Sequence, residues 1–239
     1  MTNHSTIYPH GDIEAIADDA FMLRGSIKMN PLVRITRNMG IVREGKELTL
    51  LNPVRVNERV EAQLAALGEI KNIVRLGCFH GIDDPYYVEK FGATMWSQKG
   101  GTAYTEPTID KELSGNQPLP IAGARLFEFA GTRQPECALL LERGKGILFT
   151  CDAIQHYGDY SYNNIPAKLL MPFIGFPKTT LVGPIWLKLQ TGEGGNLESE
   201  FRRMLSLKFD SLLSAHGTLL GSGAHAAVER AINTAFAKK

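Results

Sequence analysis

Three kinds of pattern are missing or scarce in this 239-residue chain, and each absence narrows its reading. Excess charge of one sign is missing: 26 basic and 25 acidic residues leave a net charge of +1, spread along the chain with no basic stripe that would track phosphates. A nucleic-acid partner is therefore not expected. Cysteine is scarce, with Cys78, Cys137 and Cys151 too few and odd in number for a disulfide framework, which fits a reducing compartment. The opening "MTNHSTIYPHGDIEAIADDAF" has no basic segment followed by an apolar core, so no secretory signal is expected and the cytoplasm is the expected location. Long apolar runs are missing too. "IPAKLLMPFIGFPKTTLVGPIWLKL", from Ile165 to Leu189, is greasy, but Lys168, Lys178 and four prolines keep every run short of the ~20 residues that span a bilayer. The stretch is no transmembrane helix; it can pack internally, cap a pocket, join two copies into a homodimer or touch lipid from the surface. No Gly-x-Ser-x-Gly elbow follows a strand, and "GTLLGSGAH" lacks the Gly-Lys-Ser/Thr ending of a phosphate loop, so a serine nucleophile and a nucleotide site are not expected.

What is present is an ordinary globular composition, 44% hydrophobic and 21% charged, without a break that would mark a second domain. One domain over residues 1–239 is expected, with an apolar insertion at about 160–195. From Phe21 to Val56 the pattern is that of strands, with Arg43 to Lys46 as a hairpin turn. "NERVEAQLAALGEI" changes period: Val60, Leu64 and Leu67 share a helix face, Asn57 stands at the cap, Glu58 and Glu61 near the positive end of the dipole, and Gly68 at the stop. "KNIVRLG" reads as a buried strand, and Pro85 suits the first turn of the next helix. "ARLFEFAG", "CALLLERGKG" and "ILFTCD" read as three more strands, the last two a hairpin across Arg143 to Gly146. Helical pieces follow around Lys168 and at "LESEFRRMLSL", then a short strand in "FDSLLSAHG". Val228, Ile232, Ala235 and Phe236 mark one face of a terminal helix.

Three apolar strands finish in potential metal ligands: "IVRLGCFH", "ILFTCD" and "LLSAHG". Imidazoles and carboxylates on rigid strand ends can converge on one divalent cation, because the sheet beneath fixes the direction of each. Taken singly, His80 and His216 read equally well as hydrogen-bonded structure, and Asp83 or Asp84, just before Pro85, as a helix cap. His156, four residues after Asp152, reads better as part of a polar loop with aromatic anchors than as a ligand.

In order, these elements resemble the metallo-β-lactamase superfamily over roughly Phe21 to Phe236, and the resemblance implies an α/β fold, a four-layered αββα sandwich with metals at one edge of two sheets. Laid on the family loop His-x-His-x-Asp-His, "CFHGID" puts Cys78 at the first His, His80 at the second, Ile82 at the Asp and Asp83 at the last His. Thr132 falls where the family's next His stands, with Glu136 nearby; Asp152 in "FTCDA" keeps the family's Asp with Cys151 for the small Gly before it, and His216 in "SAHG" keeps the last His. The implied ligand set is His80, Asp83, Asp152 and His216, with Cys78 a further candidate. It suits one ion better than two, as Zn, Mn or Fe, and a Cys78 thiolate would favour zinc. In that reading Asp152 also orients water, and Asp83 or Asp84 accepts its proton.

The chemistry implied is metal-dependent hydrolysis of a small-molecule ester, lactone, thioester or phosphoester. Two alternatives stay open: a non-catalytic binding or structural homologue that has lost its metals, suggested by Ile82 and Thr132, and an acyl- or lipid-directed hydrolase, suggested by the apolar stretch.

Overall fold

The computed structural model describes residues 4–237. A seven-stranded sheet runs in chain order through β1 (Ile13–Ala17), β2 (Ala20–Lys28), β3 (Arg34–Glu44), β4 (Glu47–Leu51), β5 (Glu69–Arg75), β6 (Thr94–Ser97) and β7 (Lys111–Glu112). The first four strands pair antiparallel and the last three join parallel. Parallel neighbours need a crossover, here α1 (Glu58–Leu67) between β4 and β5 and α2 (Asp84–Phe91) between β5 and β6. Helix α1 forms as its sequence predicts: the Asn57 side chain accepts from Val60 N, Val60 and Leu64 are buried, and Gly68 N donates to Leu64 O at the end.

The second half of the chain adds β8 (Ala124–Glu128), β9 (Cys137–Leu141), β10 (Ile147–Thr150), β11 (Ile154–His156), α3 (Ile165–Leu170), β12 (Thr180–Val182), α4 (Pro184–Gln190), α5 (Glu198–Met204), β13 (Ser211–Ser214) and α6 (Ala224–Ala235). Four of these strands make a second sheet in the order β13-β10-β9-β8, while β11 and β12 form a separate two-stranded ribbon. Strand alternation sorts the core into layers. Leu139, Leu141 and Phe149 point inward onto Met22, Val42 and Leu51 of the first sheet. Leu140 and Leu148 point outward beneath Phe201, Val228 and Ile232 of the helices. On the outer face of the first sheet, Ile41, Leu50 and Ile73 pack under Val60, Leu64 and Tyr87 of α1 and α2. The result is a four-layered αββα sandwich. The sheets approach closely at Gly40, where a Cβ would lie 2.7 Å from the Phe149 ring.

The apolar stretch from Ile165 to Leu189 divides into α3, an irregular turn, β12 and α4. Met171, Phe176 and Leu181 in it form a small core with Tyr157 and Tyr160. Other apolar side chains of the stretch face out: Phe173 is 89% exposed and Ile165 73%. Among the described residues, no helix is long and apolar enough to cross a membrane.

Candidate metal centre

Strand topology brings two of the expected ligands together. Strands β10 and β13 are parallel neighbours with Thr150 opposite Ser214, so the residues just beyond their carboxyl ends, Asp152 and His216, emerge at one sheet edge. Thr150 Oγ1 donates to Ile154 O at 2.7 Å and turns the chain there. Gly217, at φ +83°, turns it after His216 in a conformation that side-chain-bearing residues rarely adopt. The third ligand arrives from the other sheet: β5 runs on through Leu76, and Gly77 forms a bridge with Glu136 before the chain reaches His80. Gly77 has no room for a Cβ, which would sit 2.6 Å from Cys151 Sγ and 2.8 Å from Glu136 Oε2.

At this edge Asp152 is shared by two histidines. His80 Nε2 lies 3.3 Å from Asp152 Oδ1 and Oδ2, and His216 Nε2 lies 3.2 Å from Oδ1. The imidazole rings meet edge to face at 4.9 Å. One donor atom each from His80, Cys151 and Asp152 lie within 4.8 Å of one another. Burial alone would raise the Asp152 pKa, but His80 and His216, when they carry a proton toward it, outweigh burial and hold the carboxyl well below its usual range. For His80 burial dominates and pushes the pKa down, so the ring favours its neutral, ligating form.

The hydrogen atoms of His216 follow from its other nitrogen. Nδ1 lies 2.6 Å from the Thr36 carbonyl oxygen, which only accepts, so Nδ1 carries the proton and Nε2 of the neutral ring is a bare lone pair. That lone pair faces a carboxylate, also an acceptor only, at 3.2 Å. Two acceptors hold this distance only with positive charge between or upon them, a proton or a metal ion. His80 Nδ1 is buried without a hydrogen-bond partner, a second nitrogen free for a cation. An imidazole whose far N–H is fixed by a backbone carbonyl is a usual arrangement for a metal ligand. The donor set of nitrogen, oxygen and the nearby Cys151 sulfur fits a divalent transition metal.

Asp83, expected as a ligand, and Asp84, expected with it as a proton acceptor, are placed away from this cluster. Both are buried, and both serve arginines. Asp83 Oδ2 pairs with Arg37 Nη1 at 3.1 Å, and Asp83 Oδ1 accepts from the Ser5 hydroxyl. Asp84 Oδ2 takes Arg75 Nε at 2.6 Å, and burial, partly offset by Arg75, raises its pKa to about 6. Neither lines the cavity at the cluster. Their place is explained by the arginines: each buried guanidinium needs a carboxylate, and the loop carries two adjacent ones.

Cys78 also stands off this cavity, with Gln190 Nε2 donating to its sulfur at 3.9 Å. Burial and then Glu136 push the Cys78 thiol up to about 12. Thr132 forms a bridge with Thr191, and Ile82 lines a different depression together with Asp83. His156 donates or accepts through Nδ1 to Thr180 Oγ1 at 2.9 Å and lines a groove against α6.

Three supporting residues, Arg37, Gln155 and Tyr157, are not apparent from the sequence, and Glu136, noted there beside Thr132, supports the site as well. Arg37, 2% exposed, donates through Nη2 to Pro53 O at 3.2 Å and to His80 O at 3.4 Å, fixing the backbone of the His80 loop. Gln155 Nε2 donates to Asp152 O at 3.1 Å, and Tyr157 donates to Gln155 Oε1 at 2.8 Å. Glu136 accepts from Ala153 N at 2.6 Å and from the Trp186 indole at 2.7 Å, anchoring the backbone just after Asp152. The available signals were an arginine inside the buried run "TRNMGIV" and a glutamate directly before "CALLL".

The cluster lies at one end of a cavity of about 470 Å³ whose walls include Ile35, Phe79, Met171, Ile174 and Trp186.

No protein-family model matches the sequence, and no curated protein matches it in sequence. Solved structures do match in fold. A metallo-β-lactamase from Erythrobacter litoralis has a TM-score of 0.64 and 14% identity, covering 96% of this chain and 95% of its own. FIM-1 from Pseudomonas aeruginosa, in its mono-zinc form, has a TM-score of 0.60 and 13% identity, covering 98% and 99%. A metallo-β-lactamase from Hirschia baltica has a TM-score of 0.60 and 13% identity, covering 94% and 98%. The layer order, the two sheets and these similarities agree: the chain has the fold of the metallo-β-lactamase superfamily.

Proposed function

We propose that the chain is a metal-dependent hydrolase that works with one divalent ion, held by His80, Asp152 and His216, with Cys151 as a further donor within reach. The observation that supports this best is the contact of two acceptors, His216 Nε2 and Asp152 Oδ1, at 3.2 Å. The nitrogen, oxygen and sulfur donors favour zinc, and a set limited to nitrogen and oxygen would take Mn or Fe as well. A protein of like fold, FIM-1, has been solved in a mono-zinc form, so one ion is compatible with this architecture.

A divalent cation supplies Lewis acidity for a carbonyl or phosphoryl oxygen and makes water more acidic. The residues of the chain do the rest. Asp152, ionised and steadied by Gln155, would help hold the ion and orient a water through its carboxylate. Arg37 fixes the His80 carbonyl and so the position of the imidazole. The apolar walls keep bulk water from competing for the reacting group. The reaction class is hydrolysis of an ester, lactone, thioester or phosphoester.

A second reading is a protein that binds without catalysis, in which protonated His80 and His216 satisfy Asp152 as ion pairs. One experiment separates the two. Asp152→Ala and His216→Ala should each lose most of the bound metal, measured by elemental analysis after reconstitution, together with metal-dependent hydrolysis. Unchanged metal content in both variants would contradict the proposed ligand set.

A further inference from the structure

We propose that the substrate is an acyl ester or thioester with an extended aliphatic chain, and that the cavity beside the metal centre holds this chain. The inference rests on the hydrolase reading above and adds the substrate class. It starts from the make-up of the cavity lining, which is mostly apolar with few polar side chains. The polar side chains lining it are Asn30, Arg37, Gln155, Tyr157 and the cluster of His80, Asp152 and His216. Each of the first four is already engaged. Arg37 is neutralised by Asp83, Tyr157 and Gln155 bond each other, and Asn30 Oδ1 accepts from Leu32 N and Val33 N at 2.9 and 3.0 Å. Arg37 Nε is buried without a partner, but the Arg37 charge is paired with Asp83, so no unpaired charge is left on the walls to receive a charged group distant from the reacting centre.

The physical consequence is selection against most substrates of this reaction class. A polar group placed against such walls loses its water and gains no partner, which is costly. A second anionic group, as in a phosphoester of a polar alcohol, meets no unpaired cation. An alkyl chain loses nothing and gains burial. The space suffices, since about 470 Å³ falls within the range of cavities, roughly 300–1,000 Å³, that enclose small molecules.

The mouth of the cavity points the same way. Leu170 and Ile174, both 41% exposed, and Ile185 and Leu189, both 51% exposed, line the cavity and also face solvent. Met29, 61% exposed, does so from the β2–β3 turn. These apolar side chains come from three separate segments and meet only at this opening. A chain longer than the interior can continue over them without reaching a charged group of the lining.

The step balances as a hydrolysis. The oxygen of water bonds to the acyl carbon, and the acyl carbon–oxygen or carbon–sulfur bond breaks. One water proton passes to the leaving alkoxide or thiolate and the other to solvent, leaving a carboxylate and an alcohol or thiol. No oxidant or second substrate is needed.

The test uses the full chain loaded with zinc and a series of p-nitrophenyl esters from acetate to dodecanoate. A fluorescent long-chain fatty acid serves as a binding probe that requires no turnover. Burial of one methylene should raise kcat/KM roughly threefold to fourfold until the cavity is full, so octanoate should exceed acetate by at least about 100-fold. Leu170→Ser and Leu189→Ser, at half-exposed wall positions, should compress the octanoate-to-acetate ratio and weaken the probe. Probe binding that survives chelation while hydrolysis stops supports both readings. Hydrolysis with no chain-length dependence overturns the acyl inference alone. Probe binding without hydrolysis of any ester overturns the hydrolase reading and the substrate class with it, leaving only the chain-binding cavity, and absence of both overturns that as well.

Discussion

Asp83 and Asp84 sit next to each other in the chain and do the same work for two different arginines. Asp83 entered the ligand set by its place in the family loop, and the Arg37 and Arg75 guanidinium groups are what Asp83 and Asp84 pair with. Removing one partner of a buried pair strands the other charge, which costs about 3–5 kcal/mol. Asp83→Ala should therefore lower stability in urea by that amount and leave the metal content of the folded protein at the wild-type level. Loss of metal from folded Asp83→Ala protein would return Asp83 to the ligand set. His80, Asp152 and His216 stood out in the sequence because each follows a buried strand, and the structure brings the three side chains to one edge. Arg37 did not, because its role comes from neighbours far along the chain, and Gln155 did not, because its local pattern carries no sign that its amide turns back onto Asp152. Arg37, for example, is 46 residues from its partner Asp83 by their numbering.

Elements with strong local signals matched the sequence reading, and weakly patterned ones did not. Helix α1 carries its own cap, stripe and stop. Strand β1 has two exposed and no fully buried residues, β6 and β11 are four and three residues long, and none has a run long enough to show alternation. Helix α4 starts at Pro184 inside an apolar stretch, and only Lys188 and Gln190 near its end interrupt the apolar pattern. The segment leading into α3 is tied to β2 by Arg24 Nη2, 2.7 Å from Asp159 Oδ1. Burial works against the Asp159 charge, but the bonds to Arg24 and Ser161 together outweigh it and lower the pKa to about 2. A carboxylate with a depressed folded pKa adds stability above its unfolded pKa, about 3.9, and loses it as pH falls through the folded value. Asp159→Asn should thus flatten the stability profile between about pH 4 and 2, measured against wild type by thermal melting. The effect is small because the Asp159 side chain is 44% exposed, and an unaltered slope would show that the pair contributes nothing.

For the whole molecule, the site depends on two sheets ending at the same edge. The parallel pairing of β10 with β13 places Asp152 beside His216, and the other sheet delivers His80 through β5. This explains how the order of elements can carry a fold that sequence identity of 11–14% with solved structures does not reveal. The same assembly sets the cavity between the apolar insertion and the β2–β3 turn, so the reacting edge is polar and its surroundings are not. The most direct test of the account is the stoichiometry of metal in full-length protein dialysed against chelator and reconstituted with zinc. The account predicts about one equivalent, bound at neutral pH and released on acidification as the imidazoles protonate. Less than about one-tenth of an equivalent, with no uptake on reconstitution, would contradict it.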